Sequence, residues 1–370
     1  MVTSTTPGMD ILSRWQDEFQ QMLLRTQKTI ELTIDADDAT VGQTAKDVVW
    51  QRGRTQLYHY RPLAPRRVAT PVLMVHSLIS KPYILDLYPG GSFIEFLLRQ
   101  GFDVYMLDWG TPTDADRHLR LEDYVQKMIP TAVRRIAHDS PTGRVSIFGY
   151  CMGGLLTVLY ASLHPRAPLD AVACLATPVD YSRMGLFSVW TDKRYFDVDA
   201  LVDRVGNIPA EMMLRSFSML KPASEFSPVR YISLWQNILN DRYVEQYRAF
   251  NKWTNDHIPF PGECFRQVTH DLQWDNKLIH DQLIIGGKPV RLSALKRPFL
   301  HVVASRDHIV PLESAAPLVE LVGSTDKEQI VLDGGHVGIV AGRGAVKNLW
   351  PRVAQWLAEH SSSPAEDHEA

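Results

Sequence analysis

The chain has only three cysteines in 370 residues, Cys151, Cys174 and Cys264. Their odd number and lack of metal-ligand spacing exclude a disulfide framework and a zinc site, and fit a reducing cytoplasm. Nor is there a surplus of charge of either sign, with 39 Lys and Arg against 42 Asp and Glu for a net charge of −3. Without a basic block, neither nucleic acid nor an anionic membrane surface is expected as a partner. No window approaches 18 uninterrupted apolar residues, so no transmembrane segment is expected, and the N-terminus lacks the positive, apolar and small-residue order of a secretory signal. Internal repeats and low-complexity runs are missing too. What remains is an ordinary globular composition, 45% hydrophobic and 22% charged, long enough for one large α/β domain with an insertion or for two domains.

From residue 9 to 32, Ile11, Leu12, Trp15, Phe19, Met22, Leu23, Thr26 and Ile30 recur at three- and four-residue spacing, which predicts an amphipathic helix. Such a helix ordinarily lies against the main domain; the alternative is a docking surface for a partner or a hydrophobic product. Apolar runs at 48–51 and 56–60 flank a short turn and read as a hairpin. From Pro71, near-continuous apolar strands at 72–76, 103–107, 144–148 and 171–175 alternate with helices. That alternation signals a mostly parallel, doubly wound sheet with helices on both faces and reactive groups at the carboxyl ends of its strands. Past Pro178 it stops for about a hundred residues rich in aromatics, including Trp190, Trp235, Trp253 and Trp274, with helical patterning. This is an inserted cap, its aromatics mostly its own core, able also to keep water from a site beneath it. Strands at 298–304 and 329–332 and helices at 312–321 and 346–357 complete the core. The expected organisation is an N-terminal helix and lead-in over 1–45, an α/β core over 46–178 and 291–360, the cap over 179–290, and a disordered tail over 361–370.

One turn carries the chemistry. Gly149-Tyr150-Cys151-Met152-Gly153-Gly154 lies between the strand ending at Phe148 and a helix beginning near Leu155, the setting of a nucleophile elbow in an α/β-hydrolase fold. The bland alternative is a glycine-rich turn whose buried cysteine only fills space. Two later loops decide between them. Asp307 follows the strand ending at Ala304 and His336 follows the strand ending near Leu332, in the order nucleophile, acid, histidine that the fold requires. Cys151 is then the nucleophile, His336 its base, and Asp307 the group that orients the imidazole. Backbone N–H groups of Met152 and Ile79 are the expected oxyanion hole. His308 adjoins Asp307 but is set aside as the base, and His76 is read as shaping a loop. A thiol attacking a thioester exchanges one C–S acyl bond for another at little free-energy cost, which suits an enzyme that loads acyl groups from thioesters and passes them to a hydroxyl.

These motifs occur alongside others: Leu78-Ile79-Ser80-Lys81-Pro82-Tyr83, Asp103 to Gly110, Gly206-Asn207-Ile208-Pro209, Asn251-Lys252-Trp253, Pro261-Gly262-Glu263-Cys264-Phe265-Arg266-Gln267 and Asp307-His308-Ile309-Val310-Pro311. Together they resemble the catalytic subunit of the short, class III-type polyhydroxyalkanoate synthases over most of the chain, with Ser80 standing where that family generally has Asn. The resemblance implies polymerisation of (R)-3-hydroxyacyl-CoA with release of CoA, and no cofactor beyond the CoA the substrate carries. It further implies a small accessory subunit, an oligomer, and a cytoplasmic location at the surface of polyester granules. Two other readings are a cysteine hydrolase of dienelactone-hydrolase or thioesterase type, which lacks so large a cap, and a non-catalytic granule-associated protein, which has no need of all three reactive groups.

Overall fold

The computed structural model describes residues 7–34, 39–220 and 228–364. Its centre is an eight-stranded sheet in the order β1-β2-β4-β3-β5-β6-β9-β10. β1 (Lys46–Arg52) and β2 (Thr55–Tyr60) form an antiparallel hairpin, turned at Gly53, whose φ of +59° suits a residue without Cβ. β2 runs antiparallel to β4 (Val104–Asp108). β3 (Val72–Val75), β5 (Val145–Tyr150), β6 (Leu169–Leu175), β9 (Phe299–Ala304) and β10 (Lys327–Leu332) join β4 in the parallel part. β3, β5, β6 and β9 are buried along their whole length, as strands covered on both faces must be, hence their unbroken apolar sequence. Phe93, in the helix Phe93–Arg99, packs at 5.3 Å against Phe148 of β5 and at 5.5 Å against Trp350. The strand order reverses at β3, with β4 added on one side of it and β5 on the other, so the loops after β3 and β5 meet at one crevice. The expected α/β-hydrolase fold is present.

Between β6 and β9 the chain forms the helices Leu186–Trp190, Val198–Val205, Ala210–Met219, Pro228–Asn237, Asp241–Asn255 and Gly262–Gln267, and a small hairpin of β7 (Ile284–Ile285) and β8 (Lys288–Pro289). Asn207 joins this region to the core: its amide donates to the Thr113 carbonyl at 2.7 Å and accepts from Gly262 N–H at 3.2 Å. Gly262 is required there, because a Cβ would lie 2.1 Å from the Gly206 carbonyl oxygen.

Several expectations are corrected. The helix expected over 312–321 is split into Leu312–Ala315 and Leu318–Leu321, because Pro317 between them has no N–H to continue the ladder. Wider turns at Tyr124–Met128 and Ala345–Leu349 precede Pro130 and Pro351, where the missing donor frees a carbonyl one turn back. The N-terminal helix, α1 (Pro7–Ile34), forms, yet Trp15, Phe19, Met22, Leu23 and Ile30 are all exposed, Trp15 by 68%. Its described apolar stripe does not lie against the core; the side chains of Ile11 and Leu12 are outside the described residues. The tail is ordered at its start: Ser361 Oγ accepts from Thr70 N–H at 2.9 Å, and Ser362 donates N–H and Oγ–H to the Asp170 carboxylate at 3.0 and 2.8 Å. A buried carboxylate needs donors, and Ser362 supplies two of them. Residues 365–370 are outside the described part. No described helix is long and apolar enough to cross a membrane.

Candidate active site

Cys151 sits between β5 and the helix Met152–Leu163 at φ 55° and ψ −123°, a conformation disfavoured for any residue with a Cβ. The fold holds it there: Cys151 N–H donates to the Leu175 carbonyl at 2.8 Å, tying the turn to β6. The flanking glycines give it room. A Cβ on Gly149 would lie 2.5 Å from Gly154 Cα, and one on Gly153 would lie 2.2 Å from the Val75 carbonyl oxygen. These contacts are with backbone, so no rotamer change relieves them. Gly153→Ala is therefore expected to destabilise the fold by roughly 3 kcal/mol, read as a lower urea midpoint; an unchanged midpoint would mean that the turn can shift away from β3.

Asp307 and His336 come together as the sequence predicts. Asp307 Oδ1 accepts the Ile309 and Val310 N–H groups at 2.9 Å each, which turns its other oxygen towards His336 Nδ1 at 2.7 Å. An ionised carboxylate only accepts, so Nδ1 donates and Nε2 is left for the thiol. Cys151, Asp307 and His336 are 8%, 7% and 5% exposed. Burial pushes the Asp307 carboxyl up, but the His336 charge and hydrogen bond and the two backbone donors outweigh it and hold it below the usual range. Burial also pushes the His336 imidazole down; the charges of Asp307 and Cys151, with hydrogen bonds to both, prevail and bring it up to about 10. Buried Tyr150 supports the ring at 5.1 Å. His308 is exposed, whereas His336 takes the Asp307 carboxylate. The Trp109 indole N–H donates to the backbone carbonyl of His76 at 3.1 Å. Cys174 and Cys264 are buried, and burial pushes both thiols up, away from the reactive thiolate.

A cavity of about 400 Å³ opens over these groups. Ser77, Ile79 and Ser80 line it from the loop after β3, and Leu214, Phe217, Trp253 and His257 from the cap. Among the described hydrogen bonds, none uses the backbone N–H of Ile79 or Met152, the two donors expected of an oxyanion hole. Leu214, Phe217 and His257 were not found by sequence reasoning. A three-residue helical spacing marks the first two only as one apolar face, and nothing in the sequence says that this face looks at Cys151. Burial pushes the His257 imidazole down, the Thr254 carbonyl opposing it weakly, and its Nδ1 makes no hydrogen bond.

Comparison with known proteins agrees with this geometry. A family model described as alpha/beta hydrolase fold matches residues 70–342, and one described as the poly-beta-hydroxybutyrate polymerase (PhaC) N-terminus matches residues 7–97. The poly(3-hydroxyalkanoate) polymerase subunit PhaC of Haloferax mediterranei is 33% identical over 99% of this chain and 74% of its own length. Its counterpart in Thiocystis violacea is 33% identical over 92% of this chain and 97% of its own. A soluble variant of the Saccharomyces cerevisiae monoglyceride lipase, solved with a substrate analogue, superposes with a TM-score of 0.54 at 13% identity, covering 88% of this chain and 98% of that one; at that identity it shares the fold alone. Sharing a third of its residues with polymerase subunits along nearly its whole length, the chain belongs to the poly(3-hydroxyalkanoate) polymerase PhaC family, built on the α/β-hydrolase fold.

Proposed function

We propose that this chain polymerises (R)-3-hydroxyacyl-CoA into a polyester, releasing CoA, through an acyl group carried on Cys151. The observation that carries the reading is the His336–Asp307 hydrogen bond beside the strained Cys151 turn, in a chain whose relatives over nearly its full length are polymerase subunits. His336 takes the thiol proton, and the Cys151 sulfur attacks the thioester carbonyl. The oxyanion is met by the Met152 and Ile79 N–H groups. Collapse breaks the bond to the CoA sulfur, which leaves with the proton from His336. A 3-hydroxyl, from the chain end or the next monomer, then loses its proton to His336 and attacks the acyl carbon. An ester C–O bond forms, the C–S bond to Cys151 breaks, and the thiol is restored. Each turn adds one ester and frees one CoA, and no metal or further cofactor takes part.

The same reading includes an accessory subunit, self-association, and a cytoplasmic site of action at the polyester surface. The exposed stripe along α1 supports a docked partner, as does the word subunit in the relatives' names. The test is to incubate the purified chain, alone and with any protein that co-purifies with it, with (R)-3-hydroxybutyryl-CoA. CoA release matched by sedimentable polymer is expected. Free 3-hydroxybutyrate without polymer would instead identify a cysteine hydrolase, and no CoA release would overturn both.

A further inference from the structure

The loop after β3, which carries Ile79, is hydrogen-bonded to the cap through one short stretch of chain. Trp253 Nε1–H donates to the Lys81 carbonyl at 3.1 Å. The Tyr83 hydroxyl donates to Asp256 Oδ2 at 2.9 Å. Ser80 and His257 pair as an antiparallel bridge, and Ile258 N–H donates to the Ile79 carbonyl at 3.3 Å. The end of the helix Asp241–Asn255 and the residues just after it are thus tied to residues 79–83 by two side-chain bonds, one backbone bond and one isolated bridge. Burial, with Asp256 beside it, pushes the Tyr83 hydroxyl well above its usual range, so it remains a donor at any working pH. Trp253 is buried and also faces the reaction cavity, so one indole links the cavity wall to the loop.

We propose that Tyr83, Asp256 and Trp253 are positioning residues that make the oxyanion hole conditional on cap closure. The inference rests on the polymerase reading above. For an acyl-CoA to enter and a polyester to leave, the cap must part from this loop, and parting breaks the bonds that fix the Ile79 peptide. An open site then lacks one of its two oxyanion donors. The acyl group on Cys151 is exposed to water only when the machinery that would hydrolyse it is disassembled. A cap that merely shields the site would behave differently: loosening it would admit water to an intact active site and raise hydrolysis.

The two behaviours separate in the full-length protein with (R)-3-hydroxybutyryl-CoA, following CoA, polymer and free 3-hydroxybutyrate together. Tyr83→Phe removes one donor and keeps the ring; Trp253→Phe removes the indole donor and keeps a smaller aromatic ring in the cavity wall. Each is expected to lower kcat for CoA release about tenfold, a fraction of what full loss of an oxyanion donor costs, with KM changed less than about twofold. Polymer and free acid should fall in the same proportion. Asp256→Asn, which still accepts from Tyr83, should keep at least half of kcat. Tyr83→Phe combined with Asp256→Ala should be no slower than Tyr83→Phe, since both act through one bond. A rise in the share of free acid at unchanged kcat, or additive losses in the double variant, would overturn the coupling. Thermal midpoints within a few degrees of the parent are expected; a variant that lost kcat only in step with its folded fraction would also count against it. If the parent protein makes only free acid, the polymerase reading fails, and the dependence of that hydrolysis on Tyr83 and Trp253 still decides the latch.

Discussion

Replacing Cys151 by alanine is expected to slow CoA release by about 10⁴-fold or more and to leave no sedimentable polymer. The reasoning is chemical and steric. Alanine cannot carry an acyl group, and neither Cys174 nor Cys264 can substitute, because both are buried with thiols pushed up by burial. Alanine also fits the turn, since it is no larger than cysteine and takes φ 55° with the same strain; the variant should fold and still bind substrate. The loss then belongs to chemistry rather than to stability. Measured CoA release and pelleted polyester within a few-fold of the parent would sink the assignment of Cys151 as the acyl carrier. Cys151→Ser is expected to fall nearly as far, because an oxoester is a poorer acyl donor to the next hydroxyl than a thioester.

Asp307→Asn is expected to lower CoA release by about 10³- to 10⁴-fold, by reversing the imidazole. The Ile309 and Val310 N–H groups donate to Oδ1, so an asparagine at 307 keeps its carbonyl oxygen there and presents its NH2 group to His336 Nδ1. Nδ1 must then accept, and Nε2 carries the proton where it should receive one from Cys151. A second readout is the His336 ring titration by NMR. The parent ring is expected to titrate near about 10, and the variant well below that, because burial keeps pushing the imidazole down once the carboxylate charge is gone. Stability should follow. The raised His336 value contributes stability that is fully present below its ordinary value of 6.5 and lost as pH rises through about 10. The lowered Asp307 value contributes stability present above its ordinary 3.8 and lost as pH falls through the folded value. The stability difference between parent and variant should thus be largest between these two ordinary values. A variant with parental kinetics and an unshifted His336 titration would remove Asp307 from the mechanism.

The elbow was legible because its requirements are local. Gly149 and Gly153 are glycines for the backbone atoms that their Cβ would strike, and the strand before Cys151 and the helix after it announce themselves by apolar content and spacing. Asp307 and His336 were legible for a related reason: each directly follows a buried strand, and in a parallel sheet the carboxyl ends of all such strands meet on one side. The broken helix at Pro317 and the wide turns before Pro130 and Pro351 were also readable in principle, since a missing N–H acts within one turn of its own position.

The sequence by itself therefore determined the strained turn at Cys151, the loops that carry Asp307 and His336, the sheet that aligns them and the helical insertion between β6 and β9, all of which follow from local sterics and periodicity. Tertiary structure alone decided what covers each apolar face. Periodicity shows that Trp15, Phe19 and Met22 share one side of α1, but not that the side stays exposed. It marks Leu214 and Phe217 as neighbours, but not as a wall over Cys151. The bonds from Trp253, Asp256 and Ile258 to residues 79–83 join positions more than 170 apart. Those pairings arise when the folded core and cap meet, and no short-range pattern encodes them, because each partner lies far outside the few residues over which periodicity acts.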